Sequence, residues 1–215
     1  MRTFIFFISL IIILPSSGHL FAQMTDLGYT DTRRNRESFK RLQPKSLRTE
    51  VATFALSGIS ESVGTTPLQK ISYTEFGNDF MNFEGEGIKA SVKTAPFSEE
   101  GRRLDYDDKY LIRIDRKPYY GNYGFVPKTY ISDVTLIIDG DTIVVPPVAY
   151  SDLYNLNLTY SDKGVRKTTN AIYKSPDGNR IYFYLFSRDN SGSYEVTWIF
   201  DNKQYARRVL DYGFM

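Results

Sequence analysis

Beyond Leu47 the chain consists of short apolar runs separated by turn-forming residues. The clearest pair is formed by residues 133–138 and 141–145, which are joined by Asp139 and Gly140. An Asp-Gly pair tolerates the two positive φ values of a type I′ turn, and Pro146 ends the second run because proline cannot donate to a strand ladder. The pattern predicts a β-hairpin here and strands separated by turns along the rest of the chain.

Four further runs near the C-terminus predict consecutive antiparallel strands at residues 167–174, 180–187, 193–200 and 204–212. The run at 180–187 is apolar on both faces, which is typical of a central strand. In the next run Trp198 lies on the apolar face. We therefore expect this tryptophan in the core and not at a ligand.

Four earlier runs, at residues 50–57, 69–76, 88–97 and 109–115, bring the expected total to about ten strands. Residues 50–57 contain alanine and leucine and could equally open a helix. Because no long amphipathic helix is evident, we expect an all-β fold of two antiparallel sheets packed as a β-sandwich. Its topology is either jelly-roll or immunoglobulin-like.

The N-terminus has the pattern of a secretory signal peptide. An apolar stretch at residues 4–14 follows Arg2 and precedes a helix-breaking Pro-Ser-Ser-Gly segment. This stretch is too short to cross a bilayer, and Ala22 is a small residue suited to the position before a cleavage site. We expect residues 1–22 to be removed, and the exported protein to have no transmembrane span.

The mature chain is expected to contain a leader and one domain. Residues 23–47 are polar and basic without a sustained apolar period, which predicts a leader or linker. Residues 48–215 are long enough to bury one core and are expected to form a single β-sandwich domain.

Two residue types that chemistry often needs are missing. The chain has no cysteine, and its one histidine, His19, belongs to the predicted signal peptide. The mature protein therefore lacks disulfides, Ser-His-Asp or Cys-His catalytic groups and the usual zinc, copper and iron ligands. We expect no cofactor and no metal, although calcium remains an alternative for the acidic stretch 105–108. An exported domain without disulfides is typical of a bacterial periplasm, cell surface or exterior.

An aromatic loop is the strongest candidate for binding. Tyr119, Tyr120, Tyr123 and Phe125 are interleaved with glycine and proline. Flat rings on a loop can stack on sugars or grip a peptide, so we expect a non-enzymatic binding module whose partner is a glycan, a peptide or an envelope protein. In the alternative, these rings fold back as a lid over the core. No phosphate loop or nucleic-acid motif is evident in the sequence, and no nucleic-acid partner is expected.

An enzyme is the alternative function. A small carbohydrate-active enzyme would use two opposed carboxylates, drawn from Glu84, Glu86, Asp105 and Asp107. A purely structural envelope component is a third reading of the same chain.

Several segments together resemble exported proteins of Bacteroidetes-type bacteria, a group without an assigned function. They are Ala22-Gln23, the Asp139-Gly140 hairpin, residues 192–199 and residues 207–214. The resemblance covers the C-terminal half and implies export and a β-sandwich. It implies no catalytic or binding residues.

Overall fold

A computed structural model describes residues 31–33, 36–189 and 192–214. The predicted signal peptide lies outside these residues. One α-helix, α1 (Lys45–Ala52), lies between 3-10 turns at Phe39–Arg41 and Leu56–Glu61, and a third such turn spans Pro147–Ala149. The described strands are β1 (Gln69–Ile71), β2 (Tyr73–Phe76), β3 (Phe80–Gly85), β4 (Ile88–Pro96), β5 (Leu104–Asp107), β6 (Tyr110–Ile114), β7 (Thr129–Ile138), β8 (Asp141–Ile143), β9 (Tyr160–Asp162), β10 (Val165–Lys167), β11 (Ala171–Lys174), β12 (Arg180–Ser187), β13 (Tyr194–Asp201) and β14 (Gln204–Tyr212). In the described residues no helix has the length and apolar character needed to cross a membrane.

Two five-stranded antiparallel sheets form the expected sandwich. The first has the order β1-β11-β12-β13-β14 and the second β2-β3-β4-β7-β8. Most neighbours are consecutive in the chain, as in meanders. The all-β sandwich of two antiparallel sheets is confirmed, and the two sheets together hold ten strands, while the separate β5-β6 and β9-β10 hairpins add four short strands.

Local turn chemistry determines the best-predicted elements. Asp139 (φ 51°) and Gly140 (φ 89°) both adopt the left-handed backbone that a type I′ turn between β7 and β8 requires. The C-terminal meander is also confirmed, because β11 to β14 pair in sequence. Each of these hairpins could be predicted because its turn and its strands are adjacent in the chain.

Large apolar side chains fill the space between the two sheets. Trp198 is fully buried, as expected, and its indole N–H donates to the carbonyl oxygen of Ala149 at 2.9 Å. Its ring meets the Phe183 ring edge-on with centroids 5.3 Å apart, and Phe183 meets Phe83 of the opposite sheet at 5.1 Å. These edge-to-face contacts join the two sheets through one aromatic column.

The other face of the first sheet is covered by the N-terminal segment. Phe39, Leu42 and Val51 are buried against Tyr182 and Tyr184 of β12. The expectation of a leader or linker at residues 23–47 therefore fails from Ser38 onward. Residues 50–57 are also not a strand, because their first part completes α1. Since the central strand has both faces covered, its apolar character on both sides has a structural cause.

The same segment follows the outer edge of β14. The Glu37 carbonyl oxygen accepts the Leu210 N–H at 3.0 Å, and the Gln43 carbonyl oxygen accepts a hydrogen bond from Arg207 at 3.3 Å. Asp211 accepts the Phe39 N–H at 2.7 Å. The segment is thus attached to the sheet by hydrogen bonds as well as by apolar contacts.

A buried carboxylate secures the far end of the segment. Glu195 is only 3% exposed and accepts the backbone N–H groups of Leu56 and Ser57 and the hydroxyl of Tyr184, each at 2.8 Å. These N–H groups begin the second 3-10 turn and have no partner within it. The carboxylate on the sheet therefore caps the turn and fixes its position.

Removing the hydroxyl of Tyr184 and removing that of Tyr194 should have different effects on the free energy of unfolding. We expect Tyr184→Phe to lower the free energy of unfolding by about 1.5–3 kcal/mol, because the buried Glu195 carboxylate loses a charge-assisted hydrogen bond. Tyr194→Phe should be neutral or stabilising, because the buried Tyr194 hydroxyl has no hydrogen-bond partner among the described residues. Urea unfolding followed by circular dichroism measures both. Equal losses in the two variants would contradict this account.

Candidate functional site

Three segments meet at one end of the sandwich: the aromatic loop, the β5-β6 hairpin and residues 150–155. The Tyr120 N–H donates to the Asp152 carbonyl oxygen and the Tyr154 N–H donates to the Tyr120 carbonyl oxygen, both at 2.9 Å. On the other side, the Leu111 N–H donates to the Gly124 carbonyl oxygen at 2.8 Å. The aromatic loop is therefore held by backbone hydrogen bonds on both sides.

Gly121 permits the closest approach in this region. It has φ +98°, and a Cβ atom there would lie 1.8 Å from the Tyr154 carbonyl oxygen. The Asn155 side chain completes the junction: its oxygen accepts the N–H groups of Lys128 and Thr129, and its amide donates to the Gly121 carbonyl oxygen at 3.1 Å. Close backbone packing and three side-chain hydrogen bonds thus join the aromatic loop to residues 154–155 and to the start of β7.

The four proposed contact residues differ in their accessibility. Tyr119 and Tyr120 are only 2% and 6% exposed, and the Tyr119 hydroxyl lies 3.1 Å from the Leu111 carbonyl oxygen. These two rings cover the end of the core and offer no free face to a ligand in this structure. Tyr123 is half-buried, whereas Phe125 is 59% exposed. A binding role resting on all four rings as a flat platform does not match this arrangement.

Beside the loop lies a cavity of about 510 Å³, and next to it a smaller one of about 170 Å³. The two share Lys117, Pro118 and Asp152. We call them together the basic cleft. Its charged and aromatic lining residues are Arg102, Arg113, Asp115, Arg116, Lys117, Tyr119, Tyr120, Asp152 and Tyr154.

The Asp152 carboxylate in this cleft is neutralised by a buried arginine. Arg208 of β14 binds it with two parallel hydrogen bonds of 2.6 and 2.7 Å. The same guanidinium donates to Glu37 at 2.9 Å and to the Ala149 carbonyl oxygen at 3.1 Å. Arg208 is 8% exposed, so this network forms a fixed floor and leaves Asp152 little charge to repel an anion.

The Asp115 carboxylate is neutralised in the same way. Arg102 donates to it at 2.6 Å, and the Arg103 N–H donates at 3.0 Å. The hydrogen bond from Arg102, helped by the one from the Arg103 backbone, lowers the pKa of Asp115 below its usual value. Both carboxylates of the cleft are therefore paired with an arginine.

Three cations in the cleft remain available. Arg113, Arg116 and Lys117 are exposed, and within the described part of the chain no group forms a hydrogen bond or ion pair with their side chains. Asp115 (φ 50°) and Arg116 (φ 65°) both occupy the left-handed region in a two-residue turn closed by hydrogen bonds between Ile114 and Lys117. A two-residue hairpin turn requires this conformation at both central residues, as at Asp139 and Gly140.

These cations were not expected as a site from the sequence. The signal was present, because Arg113, Arg116 and Lys117 directly precede the aromatic loop. What the sequence did not show is which neighbouring carboxylates were already paired. Arg208, for example, is distant from Asp152 in the chain.

The carboxylates considered for an enzyme lie apart. Glu84 belongs to β3 and pairs with Lys89 at 2.8 Å, whereas Asp105 belongs to β5 and pairs with Arg103 at 2.8 Å. The cavities bordering Glu84 and Glu86 are not lined by Asp105 or Asp107. Among the residues that the structure describes, no group of three or more acidic, histidine or cysteine side chains is arranged to hold a metal ion.

No protein-family model matches the chain, and no curated protein or solved structure showed significant similarity to it. The geometry of the site is therefore the basis for inferring function.

Proposed function

We propose that this protein is a non-enzymatic exported binding module that holds an acidic glycan in the basic cleft. The observation that carries the proposal is the set of three exposed cations, Arg113, Arg116 and Lys117, at one cavity, whose side chains form no hydrogen bond or ion pair with the residues that the structure describes. Export is supported by the signal pattern of residues 1–22.

The cleft has the chemistry that a sugar acid requires. Guanidinium groups bind carboxylate, sulfate or phosphate with two hydrogen bonds, and an ammonium group adds a point charge. A volume of about 510 Å³ lies within the range of small-ligand sites. Because the turn carrying Arg116 and Lys117 is closed by backbone hydrogen bonds, its backbone needs little ordering on binding.

The backbone around the cleft favours a glycan over an extended peptide. A peptide that binds by strand addition needs free N–H and carbonyl groups along its path. Here these backbone groups are already used within the protein. The Tyr120 N–H donates to the Asp152 carbonyl oxygen, and the Tyr120 carbonyl oxygen accepts the Tyr154 N–H. Recognition is therefore left to side chains, which suits the acidic groups and hydroxyls of sugars.

Replacing the three cations together tests the proposal. We expect the Arg113→Ala, Arg116→Ala, Lys117→Ala variant to bind acidic glycans at least about tenfold more weakly than the unchanged protein. Binding by the unchanged protein should also weaken as salt rises, because screening reduces contacts between exposed charges. An array of uronate-, sulfate- and phosphate-bearing glycans identifies the best probe, and titration calorimetry with that probe measures the change.

A variant with the same loss of charge elsewhere is the matched control. Lys70→Ala, Lys93→Ala, Lys163→Ala removes three exposed cations that do not line the cleft. It should bind like the unchanged protein. Equal weakening in both variants, binding only to neutral glycans, or no binding to any acidic glycan would overturn the glycan proposal. Release of new reducing ends from the bound glycan would overturn the non-enzymatic part.

A further inference from the structure

An arginine of the N-terminal segment is enclosed by three tyrosine rings. The Cζ atom of Arg33 lies 4.4 Å from the ring centroid of Tyr212, 4.7 Å from that of Tyr123 and 5.8 Å from that of Tyr120. We call these three rings the tyrosine box. The Arg33 side chain is only 5% exposed, although residues 23–47 were expected to form a polar leader or linker. The box therefore holds a buried cation against aromatic rings.

Hydrogen bonds to Asp31 orient the Arg33 guanidinium. Its two carboxylate oxygens accept Nε and Nη2 of Arg33 at 2.9 and 3.0 Å, and one of them also accepts the Arg33 N–H at 2.9 Å. The fork of two hydrogen bonds fixes the guanidinium plane and balances part of its charge. An acidic residue two positions before the arginine thus orients the guanidinium that the box holds.

The box is built by the fold and not by Arg33. Tyr212 ends β14 and pairs with Tyr194, and its ring contacts the Tyr120 ring with centroids 5.3 Å apart. The Tyr123 hydroxyl donates to the Ser193 carbonyl oxygen at 3.4 Å. Burial raises the pKa of Tyr120 to about 12 and also raises the pKa of Tyr123, so both rings are uncharged at neutral pH.

We propose that the tyrosine box is a binding site for arginine side chains, filled by Arg33 in the free protein and able to take the arginine of a partner peptide in which an acidic residue stands two positions earlier. The attraction is between a cation and the faces of the rings, and a planar guanidinium lies well against such faces. The site shares Tyr120 with the basic cleft but does not depend on glycan binding there.

Tethering explains why the chain's own arginine fills the site. A short linker gives an attached ligand an effective concentration on the order of millimolar. A free peptide with weak affinity cannot compete well with that occupant. Removing the Arg33 side chain should therefore open the box to a peptide supplied from outside.

The test uses the peptide acetyl-Asp-Thr-Arg-amide, which copies residues 31–33. In the Arg33→Ala protein we expect the peptide to shift the ring-proton NMR signals of Tyr123 and Tyr212, with apparent affinity at least about tenfold higher than in the unchanged protein. The peptide with citrulline in place of arginine, which keeps the shape and loses the charge, should bind at least about tenfold more weakly. Arg33→Gln serves as a second opened variant, with folding checked by circular dichroism.

A variant without the box separates this site from any other cation-binding surface. Arg33→Ala combined with Tyr123→Ala and Tyr212→Ala should no longer respond to the arginine peptide. Equal binding of the arginine and citrulline peptides, binding that survives loss of the box, or no binding to either opened variant would each overturn the proposal. In the unchanged protein, the Arg33 side-chain protons should show upfield ring-current shifts, and their absence would contradict occupancy by Arg33.

Discussion

Replacing Arg208 by methionine should lower the free energy of unfolding by about 3–5 kcal/mol, because the change leaves a partly buried carboxylate without its cation. Arg208 joins three parts of the molecule: β14, the Asp152 region through two hydrogen bonds, and Glu37 of the N-terminal segment. Its side chain is 8% exposed, so water cannot readily replace these bonds. Denaturation with guanidinium chloride measures the loss.

A double variant separates the contribution of the ion pair to stability from the loss of stability caused by an unpaired carboxylate. Arg208→Met with Asp152→Leu removes both charges, and it should recover a large part of the stability lost in Arg208→Met. Arg41→Met, at an exposed arginine outside this network, is the matched control and should change stability by no more than about 0.5 kcal/mol. If Arg208→Met behaved like Arg41→Met, the buried network would have no structural role.

Replacing Phe39 by alanine should also cost about 3–5 kcal/mol. Phe39 is 1% exposed and belongs to the cluster of buried side chains that joins the N-terminal segment to β12. Removing the ring leaves a cavity that the segment can fill only by shifting, and Gly58 is already so close that a Cβ there would lie 2.9 Å from the ring. Urea unfolding measures the change in stability.

Hydrogen exchange adds a local readout for the same variant. The backbone amides at the start of the second 3-10 turn, Leu56 and Ser57, should lose protection as the segment loosens. Lys40→Ala, an exposed change in the adjacent position, should leave stability within about 0.5 kcal/mol of the unchanged protein. A small effect of Phe39→Ala would mean that residues 38–47 are the dispensable leader that the sequence predicts.

The parts of the fold that could be predicted depend on chemistry within a few residues. Asp139 and Gly140 specify their own turn, and the strands on either side pair because the turn brings them together. The same reasoning holds for β12, β13 and β14. Period-2 patterns then place Trp198 inside without knowledge of the opposite sheet.

The N-terminal segment could not be predicted because its partners lie far along the chain. Phe39, Leu42 and Leu47 are spaced irregularly among basic residues, and no periodic face emerges from them. The available clue was β12, whose Tyr182 and Tyr184 face away from the sandwich core and require a cover. A strand that is apolar on both faces indicates a covering layer but does not identify the segment that supplies it.

The sequence indicated an aromatic loop but neither the direction of its rings nor the charge of the cleft beside it. The aromatic loop does lie at an end of the sandwich, yet the inward direction of Tyr119 and Tyr120 depends on contacts with residues 152–155. The net charge of the cleft depends likewise on remote pairing, since Asp152 is neutralised by Arg208. Only the folded chain shows that Arg113, Arg116 and Lys117 line the cleft without a hydrogen bond or ion pair to the residues that the structure describes.

The attachment of residues 37–43 along β14 has a consequence for the protein in crowded surroundings. An outermost strand with free N–H and carbonyl groups can recruit a strand from another molecule and start edge-to-edge aggregation. The Glu37 carbonyl oxygen takes up one backbone donor of that edge, the Leu210 N–H, and the Arg207 side chain holds Gln43 beside it. The N-terminal segment therefore leaves less of this edge open to a strand from another molecule, an effect separate from the stability that its apolar side chains provide.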